Sequence, residues 1–310
     1  MTRFSSRLLA RWQSVRFSLL LVAAKVTRRN PTLSDRLRIS GLLRLSLADA
    51  ARKSGRGSLV RMPVMGVLMD LDPCEYMQGI AIVSGAYERN EALAFLRLLS
   101  PGDIVVDVGA NIGQFSLLAA HAIGPLGRVH SFEPFPSVYS RLQSHVLAGP
   151  FRDTIRTFNL GLSDQKGTVT LWGSDELRIH GARNDGLTSA FSDSLRSTIV
   201  GEMRIDRWDS LVGGRVDAVK LDCEGSELLA LRGMEETLQK HRPRLLIEMN
   251  PATFEAAGYD SIVLLSYLEG FAYTFYDVGR EGTLTPVSPK DKDRDRSWTL
   301  VAISNSPPEE

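Results

Sequence analysis

Cysteine is nearly missing: Cys74 and Cys223 are the two in 310 residues. Two thiols cannot form a disulfide framework, and they fit a reducing compartment. No CxxC pair or Cys/His cluster marks a zinc site, and His121, His130, His145, His180 and His241 show no metal spacing. Long apolar runs are also lacking. The most apolar N-terminal stretch, Phe17–Ala24, has eight residues with Ser18 among them, against about 20 for a membrane span. Acidic residues are absent from positions 1–34. The overall composition, 43% hydrophobic and 24% charged, excludes a collagen-like chain, a disordered tail protein and a multi-span membrane protein.

What is present is an asymmetry of charge. The net +1 hides fourteen Lys/Arg against Asp35 and Asp49 in residues 1–61, which is +12 and leaves −11 for the rest. This reads as a basic arm, 1–61, on an acidic body, 62–304, with a short tail, 305–310. In the arm, Phe4, Leu8, Trp12, Val15, Leu19, Val22 and Val26 step by three and four, which predicts one apolar stripe of a helix ending at Asn30-Pro31. Three readings stay open: a helix docked by that stripe on the body, a helix lying on an anionic membrane, or a cleaved targeting segment. Residues 51–61, small and basic, read as a linker.

In the body, short β-branched runs alternate with helical patterns. Strands are expected at Ile104–Val108, Arg128–Phe132, Ile155–Asn159, Ala218–Leu221 and Arg244–Ile247, with an extra one at Thr168–Leu171 and two last ones at Ala272–Tyr276 and Thr299–Ile303. Helices are expected at Glu91–Leu99, Gln114–Ala122, from Ser137 as N-cap to about Ala148, from Ser226 through Gly233 to about Gln239, and at Ser261–Leu268. This is the pattern of an α/β, doubly wound, Rossmann-like, mostly parallel sheet, with a basic helical N-terminal extension. In such a sheet the ligand lies beyond the strand C-termini. Asp107, Glu133, Asp222 and Glu248 fall at four of those ends.

The loop Asp107–Gly113 holds Gly109 and Gly113 but not the third glycine of a pyrophosphate-binding G-x-G-x-x-G. Asp107 there would repel a pyrophosphate and welcome a cation. Glu133, at the next strand end, can accept the two hydroxyls of a ribose. A ligand with a ribose and a positive charge but no phosphate is S-adenosylmethionine. Asp164, in a turn after the third strand, is placed to accept from an exocyclic amine of the purine.

Four stretches carry a resemblance: DIVVDVGANIGQFS (103–116), VHSFEPFP (129–136), NLGLSDQKGTVTL (159–171) and VKLDCEGSELLALRGM (219–234), extended by PRLLIEMNP (243–251). They resemble the FkbM family of S-adenosylmethionine-dependent methyltransferases, over roughly residues 80–303. The core Lys220-x-Asp222-x-Glu224-Gly225 is the most family-specific piece. The resemblance implies a class I methyltransferase sheet of seven strands with a final antiparallel one. It implies cofactor contacts at Asp107, Gly109, Asn111, Gly113, Glu133 and Asp164. It also implies methyl transfer, most often to the hydroxyl oxygen of a glycan or secondary metabolite. N-methylation, RNA methylation on the same fold and a nicotinamide-dependent oxidoreductase are the alternatives.

Methyl transfer needs in-line alignment and, for a hydroxyl acceptor, removal of a proton. Asp222 is the first choice as base or orienter, with Glu224 and Glu248 second. Lys220, on the same side of its strand, would hold Asp222 ionised or bind an acidic substrate. These three carboxylates could bind Mg2+, but no further ligand joins them and a metal is not favoured. Acceptor contacts are expected from Tyr87, Glu88 and His180, the last within a long polar segment, Gly173–Met203, read as a lid or binding loop. The expected location is cytoplasmic, with peripheral contact to an anionic membrane through residues 1–34 and no specific nucleic acid.

Overall fold

A computed structural model of the chain describes residues 13–24, 37–53, 59–173, 178–179, 182–183, 188–288 and 296–305. His180, the first three residues of the expected apolar stripe and its last, Val26, lie outside the described residues. The chain divides into two compact units, Met1–Tyr87 with Glu176–Asp185, and Glu88–Asp175 with Gly186–Glu310.

The first unit contains helix α1 over residues 13–24, α2 (Leu37–Lys53), a hairpin of β1 (Val60–Val64) and β2 (Val67–Leu71), and α3 (Tyr76–Ser84). The hairpin turns at Met65-Gly66, both at positive φ. Glu75 caps α3 by accepting from the Gln78 N–H at 2.8 Å. Arg16 of α1 pairs with Asp49 of α2 at 3.2 Å, and Arg44 lies over the Tyr76 ring at 4.7 Å. The stretch expected as a linker is in part regular structure, since residues 51–53 close α2 and Val60–Arg61 open β1. Of the three readings left open for the α1 stripe, the docked one does not fit its described members. Phe17 and Ala24 are the buried residues of this helix, while Val15, Leu19 and Val22 face solvent.

The second unit is built on an eight-stranded sheet. Its early elements are α4 (Arg89–Leu98), β3 (Ile104–Val108), α5 (Gln114–Ile123), β4 (Arg128–Phe132), α6 (Pro136–Ala148) and β5 (Ile155–Phe158). An excursion follows, with β6 (Gly161–Leu162), β7 (Gly167–Gly173) and β10 (Thr198–Asp206). Between the last two run β8 (Arg178–Ile179) and β9 (Ala182–Arg183), a two-residue pair that groups with the first unit. The chain returns through α7 (Trp208–Leu211), β11 (Ala218–Leu221), α8 (Glu227–Arg232), α9 (Glu235–His241), β12 (Arg244–Met249), α10 (Pro251–Ala256), α11 (Ser261–Glu269), β13 (Tyr273–Val278), β14 (Leu284–Pro286) and β15 (Trp298–Ser304).

The strand order is β14-β13-β15-β12-β11-β3-β4-β5. Neighbours from β12 to β5 are parallel, and β15 runs antiparallel between β12 and β13. These are the seven expected strands, and the short β14 adds an eighth at the edge. Val106, Val108, Val219, Leu221, Leu245 and Ile247 are buried in one apolar core, which explains their near-continuous apolar runs. The chain winds outward from β3 to β5 and then returns to β11 beside β3, so the order reverses between β3 and β11. That reversal is where an open α/β sheet leaves a crevice.

Three local expectations change. The helix after Ser226 breaks at Gly233, a position that must be glycine because a Cβ there would lie 2.0 Å from the Ser163 carbonyl oxygen. Helix α6 starts at Pro136, with Phe135 as N-cap and no side-chain cap from Ser137. Residues 198–203 of the expected loop are strand. β10 pairs antiparallel with β7 and parallel with β6, with a bulge between Ile199 and Gly201.

Candidate active site

Two loops meet at the switch point. The loop after β3 carries Gly109, Asn111 and Gly113; the loop after β11 carries Asp222, Cys223, Glu224 and Gly225. Both glycines of the first loop are dictated by close approach. Gly109 has φ +75, and a Cβ there would stand 1.8 Å from the Asp222 carbonyl oxygen. Gly113 has φ +97, and its Cβ would meet Leu142 at 2.7 Å. Only glycine accepts both the positive φ and the contact. Asn111 also has a positive φ, 50°, which asparagine tolerates better than most residues. Its Oδ1 accepts from the Ile112 N–H at 2.7 Å.

Glu133, just past β4, is held by backbone alone. Its Oε2 accepts from the Asn111 N–H and its Oε1 from the Phe135 N–H, each at 2.9 Å. A carboxylate offers about four lone-pair sites, so both oxygens keep capacity for a further donor. Burial raises Glu133 to about 7 even though both backbone N–H bonds pull it down. Asn159 fastens this corner by donating to the carbonyls of Glu133 and Pro134 at 2.9 and 3.0 Å. His145 fastens the glycine loop through Nδ1 to the Ile112 carbonyl at 2.7 Å. Neither role is visible from residue type.

Asp107 is fully buried. Its Oδ2 accepts from Ser116 Oγ at 2.5 Å, and Ser116 in turn contacts Ser131 Oγ at 2.7 Å. Its Oδ1 has no hydrogen-bond partner and lies 3.8 Å from Lys220 Nζ. Register explains the proximity, since Lys220 on β11 is directly opposite Asp107 on β3. Lys220, itself buried, also donates to the Gly109 carbonyl at 2.9 Å and pairs with Asp222 Oδ2 at 3.0 Å. Desolvation opposes its charge, but Asp222 and Asp107 outweigh it and hold the ammonium above its ordinary range. One cation therefore ties β3, the glycine loop and Asp222 together.

Asp222, Glu224 and Glu248 each bring a carboxylate oxygen within 4.8 Å of the others. Burial, then the charges of Asp222 and Glu224, push Glu248 well above the carboxylate range. Burial and Asp222 raise Glu224 to about 7 against the pull of Arg196. Glu88, at the start of α4, acts electrostatically on both Lys220 and Glu248, which places it beside this cluster. Tyr87 falls in the other unit.

The second loop is braced from three sides. Glu227 accepts from the N–H groups of Cys223 and Gly225 at 2.8 and 2.9 Å. Tyr259 donates to the Gly225 carbonyl at 3.1 Å. Gly225 has φ +101, and a Cβ there would press on the Thr253 carbonyl at 2.7 Å. The β7–β10 excursion supplies the third brace. Ser189, bridged to Trp172, donates through Oγ to the Glu224 carbonyl at 2.7 Å. Arg196, buried, reaches Glu224 Oε2 at 2.8 Å and also pairs with Asp193. Reading the segment as a polar loop misses Ser189 and Arg196.

Asp164 sits after β6. Its Oδ1 accepts from Ser163 at 3.3 Å and its carbonyl from Arg207 at 3.1 Å. Phe135 packs against the excursion's own small core of Leu171, Met203 and Ile205. Cys223 is a packing residue. Burial, with Glu227 and Asp222 nearby, drives its thiol pKa well up, so it stays neutral and inert. His130 is buried against Trp208 and Phe158, and its pKa falls to about 4. Such a neutral ring belongs to the core.

This sheet order, with carboxylates at the crevice ends of β3, β4, β11 and β12, is the architecture of Rossmann-like class I methyltransferases. Residues 107–275 match the Methyltransferase FkbM domain, and the chain belongs to that family. It is 26% identical over 215 residues to the AMB antimetabolite synthetase AmbE of Pseudomonas aeruginosa, covering 59% of this chain and 10% of that protein. It is 30% identical over 164 residues to 31-O-demethyl-FK506 methyltransferase FkbM of Streptomyces tacrolimicus, covering 44% of this chain and 62% of that one. Hexuronic acid methyltransferase AglP of Haloferax volcanii is 28% identical over 137 residues, 44% of this chain and 52% of its own. The chain thus spans from a tenth to about three fifths of the length of these relatives.

Proposed function

We propose that this chain transfers a methyl group from S-adenosylmethionine to a hydroxyl oxygen of a sugar or other small metabolite. The observation that carries the reading is the state of Glu133. Its carboxylate is fixed by two backbone N–H groups at the mouth of the glycine loop and keeps lone pairs on both oxygens. Two adjacent ribose hydroxyls fit that acceptor pair. Asp107, buried with one oxygen unpartnered, adds negative potential on the side where a cationic group would lie. A phosphate has no comparable welcome between these carboxylates.

When bound, the cofactor supplies an activated methyl on a sulfonium. The chain's own residues do the rest. Glu133 binds the ribose, and the Gly109–Gly113 backbone shapes the loop beside it. Asp222 is the acceptor-facing carboxylate, a quarter exposed and anchored by Lys220. It accepts the acceptor hydroxyl's proton or holds that hydroxyl in line. Glu248, protonated, steadies Asp222, and Glu224 positions the loop through Arg196. Asp222 and Glu224 are already paired with Lys220 and Arg196, so the cluster's charge is largely compensated without a dication. This favours proton transfer by side chains over Mg2+. The names of two relatives, 31-O-demethyl-FK506 methyltransferase and hexuronic acid methyltransferase, support a hydroxyl acceptor.

Calorimetric titration with S-adenosylhomocysteine tests the reading. Saturable one-to-one binding is expected, and NADH at the same concentrations should give none. A folded protein that gives no heat with S-adenosylhomocysteine overturns it.

A further inference from the structure

Helix α1 is apolar on two opposite faces. Phe17 and Ala24, seven residues apart, are 5% and 0% exposed and form the face turned to the protein. Val15, Leu19 and Val22, stepping by four and three, share the other face and are 58%, 65% and 57% exposed. Docking the helix needs one apolar face; the second is left in water. Helix α2 of the same unit repeats the arrangement. Leu47 and Ala50 are fully buried, while Leu42 and Leu45 are exposed. Arg16–Asp49 joins the two helices.

We propose that the solvent-facing stripe of α1 seats this chain on an anionic lipid surface. Charge selects this occupant. Residues 1–61 carry a net +12, which anionic headgroups attract while the apolar side chains enter the interface. The same charge works against a two-fold pairing of this stripe with the same stripe of a second copy, since two such segments repel each other. No helix among the described residues is long and apolar enough to cross a membrane, and an exposed apolar stripe on a helix suits a contact along the surface. These features belong to the first unit and do not depend on methyl transfer.

The test is co-sedimentation of the full chain with extruded vesicles. One set is pure phosphatidylcholine, and the other contains about one quarter phosphatidylglycerol. Recovery with the anionic set is expected to exceed the neutral set at least about tenfold and to fall in high salt. The triple variant Val15→Gln, Leu19→Gln, Val22→Gln should lose at least about tenfold of that binding. Leu126→Gln, at a 91% exposed apolar residue of the second unit, should lose none. Thermal melts of all variants should coincide, since the changed side chains are in water. Equal recovery on both vesicle types, or full binding by the triple variant, overturns the proposal. Light scattering that shows a dimer dissolved by the triple variant, with no vesicle binding, also overturns it and assigns the stripe to a second copy.

Discussion

The two halves of the candidate site are held by different means. The Glu133 half is fastened by the backbone, with N–H groups of Asn111 and Phe135 on the carboxylate and an asparagine side chain on the two carbonyls behind it. The Asp222 half is fastened by ions, with Lys220 on Asp222 and Arg196 on Glu224. Backbone donors cannot be mutated away and do not titrate, so that half suits a ligand that stays the same. The Arg196–Glu224 pair, supplied from a separate excursion, β7–β10, can be rearranged without disturbing the main sheet. The difference matches a fixed cofactor beside a variable acceptor.

The largest effect that would sharpen this contrast is chemical. Asp222→Asn should lower turnover by about 10²–10⁴-fold, the usual range for a positioned proton acceptor. Affinity for S-adenosylhomocysteine should stay within about twofold. Release of S-adenosylhomocysteine across a panel of hydroxyl acceptors measures the first, and calorimetry the second. Gly109→Ala should follow. Its Cβ cannot coexist with the Asp222 carbonyl at 1.8 Å, and the positive φ adds strain. A loss of about 2–5 kcal/mol in stability is expected from overpacking plus backbone strain, read by denaturant unfolding.

Glu133→Gln should weaken S-adenosylhomocysteine about 10–100-fold, as removal of charge-assisted hydrogen bonds does. Its pH dependence separates the halves further. Burial raises Glu133 to about 7 from an ordinary 4.5. The folded apoprotein therefore holds a proton that the unfolded chain has lost, and stability falls as pH rises between those values. Ligand hydroxyls prefer the ionised form, so affinity should climb through about pH 7 in the wild type. In Glu133→Gln that rise should flatten, leaving what Lys220 and Asp107 contribute nearby.

The smallest effect is expected at Arg196. Arg196→Ala strands Glu224, which already sits near 7 and can neutralise by taking up a proton. The cost should thus be about 1–2 kcal/mol rather than the ~3–5 kcal/mol of a stranded buried charge. Acceptor KM should rise while cofactor affinity holds. An equal loss of both affinities would erase the proposed division between the halves.

The same contrast governs what the sequence reveals. Asp107, Glu133, Asp222 and Glu248 are legible because each lies at or just past the last residues of a short strand, and the α/β rule puts strand ends at the ligand. Lys220 follows from period-two alternation. Arg196 and Ser189 are not legible, because their roles depend on how the excursion folds back over the β11 loop, and Asn159 is not, because its amide serves carbonyls about 25 residues away in sequence. The break at Gly233 leaves no mark in the apolar pattern, and the close approach that requires glycine there comes from the distant Ser163 carbonyl, so helical periodicity runs straight through it. The hairpin at Met65-Gly66 lacks the usual Asn-Gly signal. In α1 periodicity finds the apolar stripe but not its direction: a helix apolar on opposite faces gives no sign of which one the protein covers.

Lys220 carries a consequence beyond holding side chains in place. Its ammonium is bonded at once to the Gly109 carbonyl of one loop and to the Asp222 carboxylate of the other. Any ligand that stiffens one loop lowers the entropic cost of ordering the other, and linkage makes the effect mutual. Product and acceptor should then assist each other's binding, so that S-adenosylhomocysteine makes a dead-end complex tighter than either affinity alone would give. Replacing Lys220 with methionine would uncouple the two ligands, turning cooperative occupancy into independent occupancy.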